Sequence, residues 1–69
     1  MNWISIKDRM PQNSATQDVL CWHKENGCFM GKVIDGKWYL YFQDSGLQYD
    51  KYHSGLITHW QYLPESPKL

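Results

Sequence analysis

Apolar and polar residues alternate through the middle of the chain, and Asn26-Gly27 and Asp35-Gly36 punctuate the alternation. Period-two alternation marks half-buried strands, because successive side chains leave a pleated backbone on opposite sides. Asn-Gly and Asp-Gly suit a type I′ turn, where both central residues need positive φ. The pattern therefore predicts three antiparallel strands, over 18–25, 28–34 and 37–42. With two-residue loops, Cys21 is expected opposite Lys32 and His23 opposite Met30. Val33 is expected opposite Trp38, and Gly31 opposite Leu40, where a small residue would let a Trp lie across the strand. One face then collects Leu20, Trp22, Phe29, Gly31, Val33, Trp38, Leu40 and Phe42. The other collects Val19, Cys21, His23, Cys28, Met30, Lys32, Ile34, Lys37, Tyr39 and Tyr41.

The flanking segments add less. Trp3-Ile4-Ser5-Ile6 reads as extended. Residues 7–10 read as one helical or turn-like stretch, ended by Pro11, which disfavours the α conformation at Met10. Residues 11–17 are polar loop. Residues 43–55 form a long connection holding Asp44, Ser45, Gly46 and then Tyr49 to His53. A fourth strand spans 56–62, and Pro64 and Pro67 end it. The expected fold is a single all-β domain over 1–69, with a small α+β arrangement as the variant. It is a four-stranded antiparallel meander, able to curl into a partly closed barrel, with a short N-terminal helical turn.

Composition sharpens this picture at three points. A chain of 69 residues supports one small core, and four Trp, five Tyr and two Phe are how this one fills it. Each aromatic ring buries roughly 150–250 Å². Seven basic side chains balance seven acidic ones. A nucleic-acid binder usually carries a basic excess, so this balance disfavours that class, and it equally disfavours an acidic DNA mimic. No apolar run approaches the ~18 residues of a membrane span. The first residues lack the basic start and apolar stretch of a signal peptide, so a cytosolic location is expected.

Candidate chemistry is sparse. Cys21 and Cys28, in the expected register, lie about 13–14 Å apart on one face, beyond the ~7 Å limit for a bridge. Both are read as free thiols. Cys21, His23 and Cys28 have a C-x-H-x₄-C spacing that matches no standard zinc knuckle, and His53 and His59 lie elsewhere, so no metal or cofactor is assigned. Cys21 and His23 are not cross-strand neighbours, and Asp44 and Asp50 read as solvated loop acids. No catalytic residue is assigned, and the chain is read as a non-enzyme.

The ends of the chain carry a resemblance. Trp3-Ile4-Ser5, Asp8-Arg9-Met10-Pro11, Val19-Leu20, Gly36 with Trp38, and Ile57-Thr58-His59-Trp60 leading to Leu63-Pro64-Glu65 and Pro67 form a pattern that spans nearly the whole chain. It resembles a family of short, functionally uncharacterised phage and prophage proteins. Tyr62 and Ser66 depart from it, each standing where the family often has Pro. The resemblance implies a mobile-element origin and life in a host cytosol, and it implies no reaction. Aromatic burial favours Trp3 and Trp60 as core pieces, and Leu63-Pro64-Glu65 is expected to fold back across the sheet. Asp8 and Arg9 are expected to clamp their turn, in preference to Arg9 binding an anion.

The second sheet face is too apolar for a solvated surface. Either a loop or the N-terminal segment covers it, or it binds something. Met30, Lys32, Lys37, Tyr39 and Tyr41 are the expected partner-binding residues, since Tyr and Met are enriched at interface cores. The expected function is a non-enzymatic, phage-derived interaction protein that binds a host or phage protein, such as an anti-phage defence component that it inhibits. A homodimer through the same face is the symmetric version. The alternative is a nucleotide or single-stranded nucleic-acid binder that stacks bases on Tyr39 and Tyr41 with Lys32 and Lys37 on phosphates.

Overall fold

The structure is a computed structural model, and it describes residues 3–14 and 17–63. They form one open antiparallel sheet of six strands with one short helix. In chain order these are β1 (Ile4–Ser5), β2 (Val19–His23), β3 (Gly27–Ile34), β4 (Lys37–Phe42), β5 (Gly46–Tyr49), α1 (Lys51–Ser54) and β6 (Ile57–Tyr62). The spatial order is β1-β6-β2-β3-β4-β5. The chain is mostly β, as expected, but it has six strands rather than four, and the sheet does not close into a barrel. After β1 the chain makes a single hydrogen-bonded turn, the turn-like form of the expectation, in which the Asp8 and Arg9 amides donate to the Ser5 carbonyl.

The two Gly turns behave differently. Asp35 and Gly36 have φ of 53° and 76°, as a type I′ turn requires. Ile34 accordingly faces Lys37, Val33 faces Trp38 and Gly31 faces Leu40, all as expected. At the first turn only Gly27 has positive φ; Asn26 does not. The loop therefore holds Lys24, Glu25 and Asn26, and His23 pairs with Gly27. The His23 ring caps this loop, its Nδ1 accepting from the Glu25 and Asn26 amides at 3.1 Å each. Cys21 faces Phe29 rather than Lys32, a slip of three residues. An odd slip turns every side chain of β2 to the other face. Val19, Cys21 and His23 therefore point into the core, and Leu20 and Trp22 point out.

The core lies on one side of the sheet. Val19, Cys21, Val33, Trp38, Leu40, Ile57 and Trp60 are buried there, with Ile4, Ile6, Phe29 and Phe42 packed against them. Two crossings cover it. The segment after β1 runs over β6 and β2 towards the β3–β4 turn. It is tied down where the Trp60 indole Nε1 donates to the Arg9 carbonyl at 2.9 Å, the Ser14 amide to the Val33 carbonyl at 2.8 Å, and the Gly36 amide to Asn13 Oδ1 at 3.0 Å. The Arg9 guanidinium lies over the Trp60 ring, 5.9 Å from its centre. Arg9 thus anchors its turn to Trp60 through its backbone carbonyl and the face of its guanidinium, rather than by an ion pair. The second crossing carries the chain from β5 back to β6, which lies beside β2, and it includes α1. Asp50 caps α1, its Oδ2 accepting from the His53 amide at 3.0 Å, and Ser54 Oγ accepts from the Trp38 amide at 3.2 Å.

Trp60 is a core residue as expected, but Trp3 is 39% exposed. Strand β1 holds Trp3 at the edge of the outer face, so it closes nothing. The expected fold-back of Leu63-Pro64-Glu65 lies largely outside the described residues. The side chain beside Gly31 is Leu40 rather than a Trp.

Candidate functional site: the outer sheet face

Alternation along each strand sets what the outer face presents. Strand β3 gives Cys28, Met30, Lys32 and Ile34, and β4 gives Lys37, Tyr39 and Tyr41. The turned β2 adds Leu20 and Trp22. Pairing of Tyr39 with Tyr49 and Tyr41 with Leu47 adds β5 to the face. On the other side Trp22 pairs with His59, and Ser5 with His59, so β6 and β1 join it. Trp3, Trp22, Met30, Tyr41 and Tyr49 are each between 37% and 43% exposed. Among the described residues, both chain crossings run over the opposite face.

Local contacts fix these side chains. Tyr41 donates its hydroxyl to Asp18 Oδ1 at 3.1 Å, and Lys32 Nζ pairs with the same oxygen at 3.3 Å. Lys32 also lies over the Tyr41 ring at 5.7 Å, and little of it is exposed. Tyr39 and Tyr49 pack at 5.7 Å between centroids, with Lys37 over the Tyr49 ring at 5.3 Å. At the other end Trp3 meets Trp22 edge-on, at 5.9 Å and 70°, and with His59 they line an open groove of about 240 Å³. His59 Nδ1 sits 2.9 Å from Thr58 Oγ1. The surface is aromatic and held in place by its own neighbours, which lowers the entropy lost on binding.

All five sequence-predicted site residues, Met30, Lys32, Lys37, Tyr39 and Tyr41, lie on this face. A family model described as Protein of unknown function (DUF551) matches residues 2–68. The chain belongs to the DUF551 family. No curated protein matches it, and no solved structure does. The DUF551 chain also presents on this face residues beyond those expected there, among them Trp3, Leu20, Trp22 and Tyr49. Leu20 and Trp22 were hidden by the assumed two-residue loop. Tyr49 was legible only as part of a loop. Trp3 was assigned to the core on aromatic burial alone.

The remaining candidate residues separate. Cys28 is exposed on the outer face, while Cys21 is buried in the core. The expectation of free thiols holds, but for a different reason: the two sulfurs leave the sheet on opposite sides. Burial first, and then proximity to Cys28, pushes the Cys21 thiol up to about 12, and its Sγ–H donates to the Phe29 carbonyl at 3.5 Å. Among the described residues no group of three His, Cys, Asp or Glu side chains is placed to hold a metal ion. Asp44 and Asp50 both line a shallow recess between the β4–β5 tip and α1, with His53. There Asp50 already serves as the helix cap.

His23 is fully buried, and its Nε2 lies 3.0 Å from His53 Nδ1. Phe29 packs on the His23 ring at 5.4 Å, and Phe42 on the His53 ring at 5.4 Å. Tyr52 packs on His53 at 5.1 Å and donates its hydroxyl to the Glu25 carboxylate at 2.8 and 3.0 Å. Burial, then the neighbouring His53, lowers the His23 pKa below 6.5, and Glu25 opposes them more weakly. The group is aromatic and self-contained, and it joins the 24–26 loop to α1.

Proposed function

We propose that this DUF551 protein is a non-enzymatic binding module whose outer sheet face docks a partner protein. The observation that carries the reading is the concentration of exposed Trp3, Trp22, Met30, Tyr41 and Tyr49 on one face of a small domain. Single exposed apolar residues need no explanation, but a contiguous patch of large ones marks interaction surfaces. Trp and Tyr are the residue types that dominate binding hot spots, and Met adapts to irregular partner surfaces. The resemblance of the terminal motifs to phage and prophage proteins supports a bacterial host protein as the partner, with a component of anti-phage defence as the first class to test. Met30, Tyr39 and Tyr41 form the centre of the contact and Lys37 its rim, while Lys32 supports Tyr41 from its bond to Asp18. The nucleic-acid alternative draws less support, because Lys32 is largely buried and held by Asp18.

Photo-crosslinking tests the choice of surface. A photoreactive residue placed at Met30 should trap one discrete protein adduct in host cells. The same residue at Gln12, on the N-terminal segment, should not. Adducts of the same pattern from both positions would refute the assignment.

A further inference from the structure

The 24–26 loop is joined to α1 by the Tyr52–Glu25 bond and by one buried histidine pair, and to the turn after α1 by the Lys24 amide on the Leu56 carbonyl at 2.9 Å. The proton positions in the histidine pair are forced. His23 Nδ1 receives two backbone N–H groups, from Glu25 and Asn26. It must therefore be bare, and a neutral ring then carries its proton on Nε2. That proton points at His53 Nδ1, 3.0 Å away. His53 Nδ1 is thus the acceptor, and the His53 proton sits on Nε2. The reverse arrangement would put a proton on His23 Nδ1, against two amide hydrogens.

We propose that the His23–His53 pair is an acid-sensitive latch that joins the 24–26 loop to α1 only while it holds two protons. A third proton has no inside position that keeps every bond. On His23 Nδ1 it opposes the Glu25 and Asn26 amides. On His53 Nδ1 it opposes the His23 Nε2–H. The first position turns two hydrogen bonds into N–H against N–H contacts and the second turns one, and the loop or the helix moves off. The groups that face the pair are few. Glu25 and Tyr52 are bonded to each other across it, and Asp50 caps the helix from the recess side. Cys21 lies two residues away on the same face of β2. Strands β3, β4 and β6 contribute the uncharged Phe29, Phe42 and Ile57. Asp44 and Asp50 line the recess beside His53, and Glu25 is the acidic neighbour of His23, so protonation of the His23 ring would draw Glu25 from Tyr52. The β3–β4 hairpin touches the latch through Phe29, Phe42 and the Trp38 amide on Ser54 Oγ, but its own ladder from Gly31 to Lys37 includes neither histidine, so it keeps its pairing.

Nuclear magnetic resonance of the full chain with labelled histidine tests this directly. At pH 7.5 His23 should be the Nε2–H tautomer. Between pH 7.5 and 5 the Glu25, Asn26 and His53 amides should exchange at least about tenfold faster than intrinsic rates explain, with the midpoint of the His23 ring. Val33 and Leu40 amides should keep their protection. His23→Asn places a non-titrating oxygen where Nδ1 caps the loop, so it should keep the loop and lose the acid response. The latch is refuted by an Nδ1–H tautomer at pH 7.5, by loop and helix amides that ignore the His23 titration, by loss of Val33 and Leu40 protection at the same midpoint, or by an unchanged acid response in His23→Asn. The tautomer reading uses the unaltered chain, so it stands even if the variant does not fold.

Discussion

Replacing Gly31 by Ala should cost this domain a large part of its stability, for a reason that is steric alone. Gly31 is not among the positive-φ residues, so Ala meets no backbone strain there. Reduced unfolded-state freedom would even favour Ala, by about 0.4–1 kcal/mol. Against this, a Cβ at position 31 would lie 2.5 Å from the Tyr39 carbonyl oxygen and 2.9 Å from Leu40 Cδ2. The leucine methyl can rotate away. The carbonyl belongs to the β4 backbone and moves only if the ladder opens. Overpacking of well-filled sites costs about 1–3 kcal/mol, and a clash with backbone belongs at the upper end. The net expectation is a loss of about 2 kcal/mol, set against the roughly 3–5 kcal/mol that a core of this size supplies. At about 4–8 °C per kcal/mol, the melting temperature should fall by roughly 8–16 °C. Urea titration followed by Trp fluorescence, with thermal melting by circular dichroism, measures both. Gly36 is the internal contrast: its φ is +76° and a Cβ there meets nothing within 4 Å. Gly36→Asn should therefore be tolerated, since Asn accepts that conformation, while Gly31→Asn should be at least as damaging as Ala. A Gly31→Ala protein as stable as the parent would refute the close approach and, with it, the β3–β4 register.

Further outcomes follow from the same contacts. Trp60→Phe should cost about 1 kcal/mol more than Trp38→Phe in urea titrations, because the Trp60 indole bonds the Arg9 carbonyl while the buried Trp38 Nε1 has no partner among the described residues. The native chain should alkylate at Cys28 alone at pH 8, and at both cysteines in denaturant, as mass spectrometry of the iodoacetamide adducts would count; equal reaction at Cys21 in the native state would contradict its burial. The burial of neutral His23 contributes stability that is complete above pH 6.5, its unfolded value, and is lost as pH falls through the lowered native value. Urea midpoints should therefore decline below about pH 6.5 in the parent and decline less in His23→Asn.

Much of the sheet was legible where one local signal decided the geometry. Asp35-Gly36 fits a type I′ turn at both positions, so the β3–β4 register and the shared face of Met30, Lys32, Lys37, Tyr39 and Tyr41 followed from it. Asn26-Gly27 is an equally strong signal for that turn but adopts a different one. There the His23 ring supplies the acceptor that stabilises a longer loop, and no dipeptide rule contains that information. The resulting odd slip exchanged Trp22 and Leu20 for Cys21 and Val19. Strand β5 and α1 were concealed in one polar connection, although Gly46 at positive φ and Asp50 as a cap were both visible in it as residue types. The side of β2 on which β6 pairs was beyond local pattern, because only the core that forms across β2 selects it.

The central claim is that the outer aromatic face binds a partner protein. Titration calorimetry with the trapped partner compares Met30→Ala/Tyr41→Ala with Tyr62→Ala, an equally simple truncation of an exposed tyrosine on the opposite face. The double variant should weaken binding by about 2 kcal/mol or more, roughly thirtyfold, as truncation of hot-spot residues does, and Tyr62→Ala should stay within about threefold of the parent. Unchanged affinity in the double variant, or a larger loss in Tyr62→Ala, would contradict the claim.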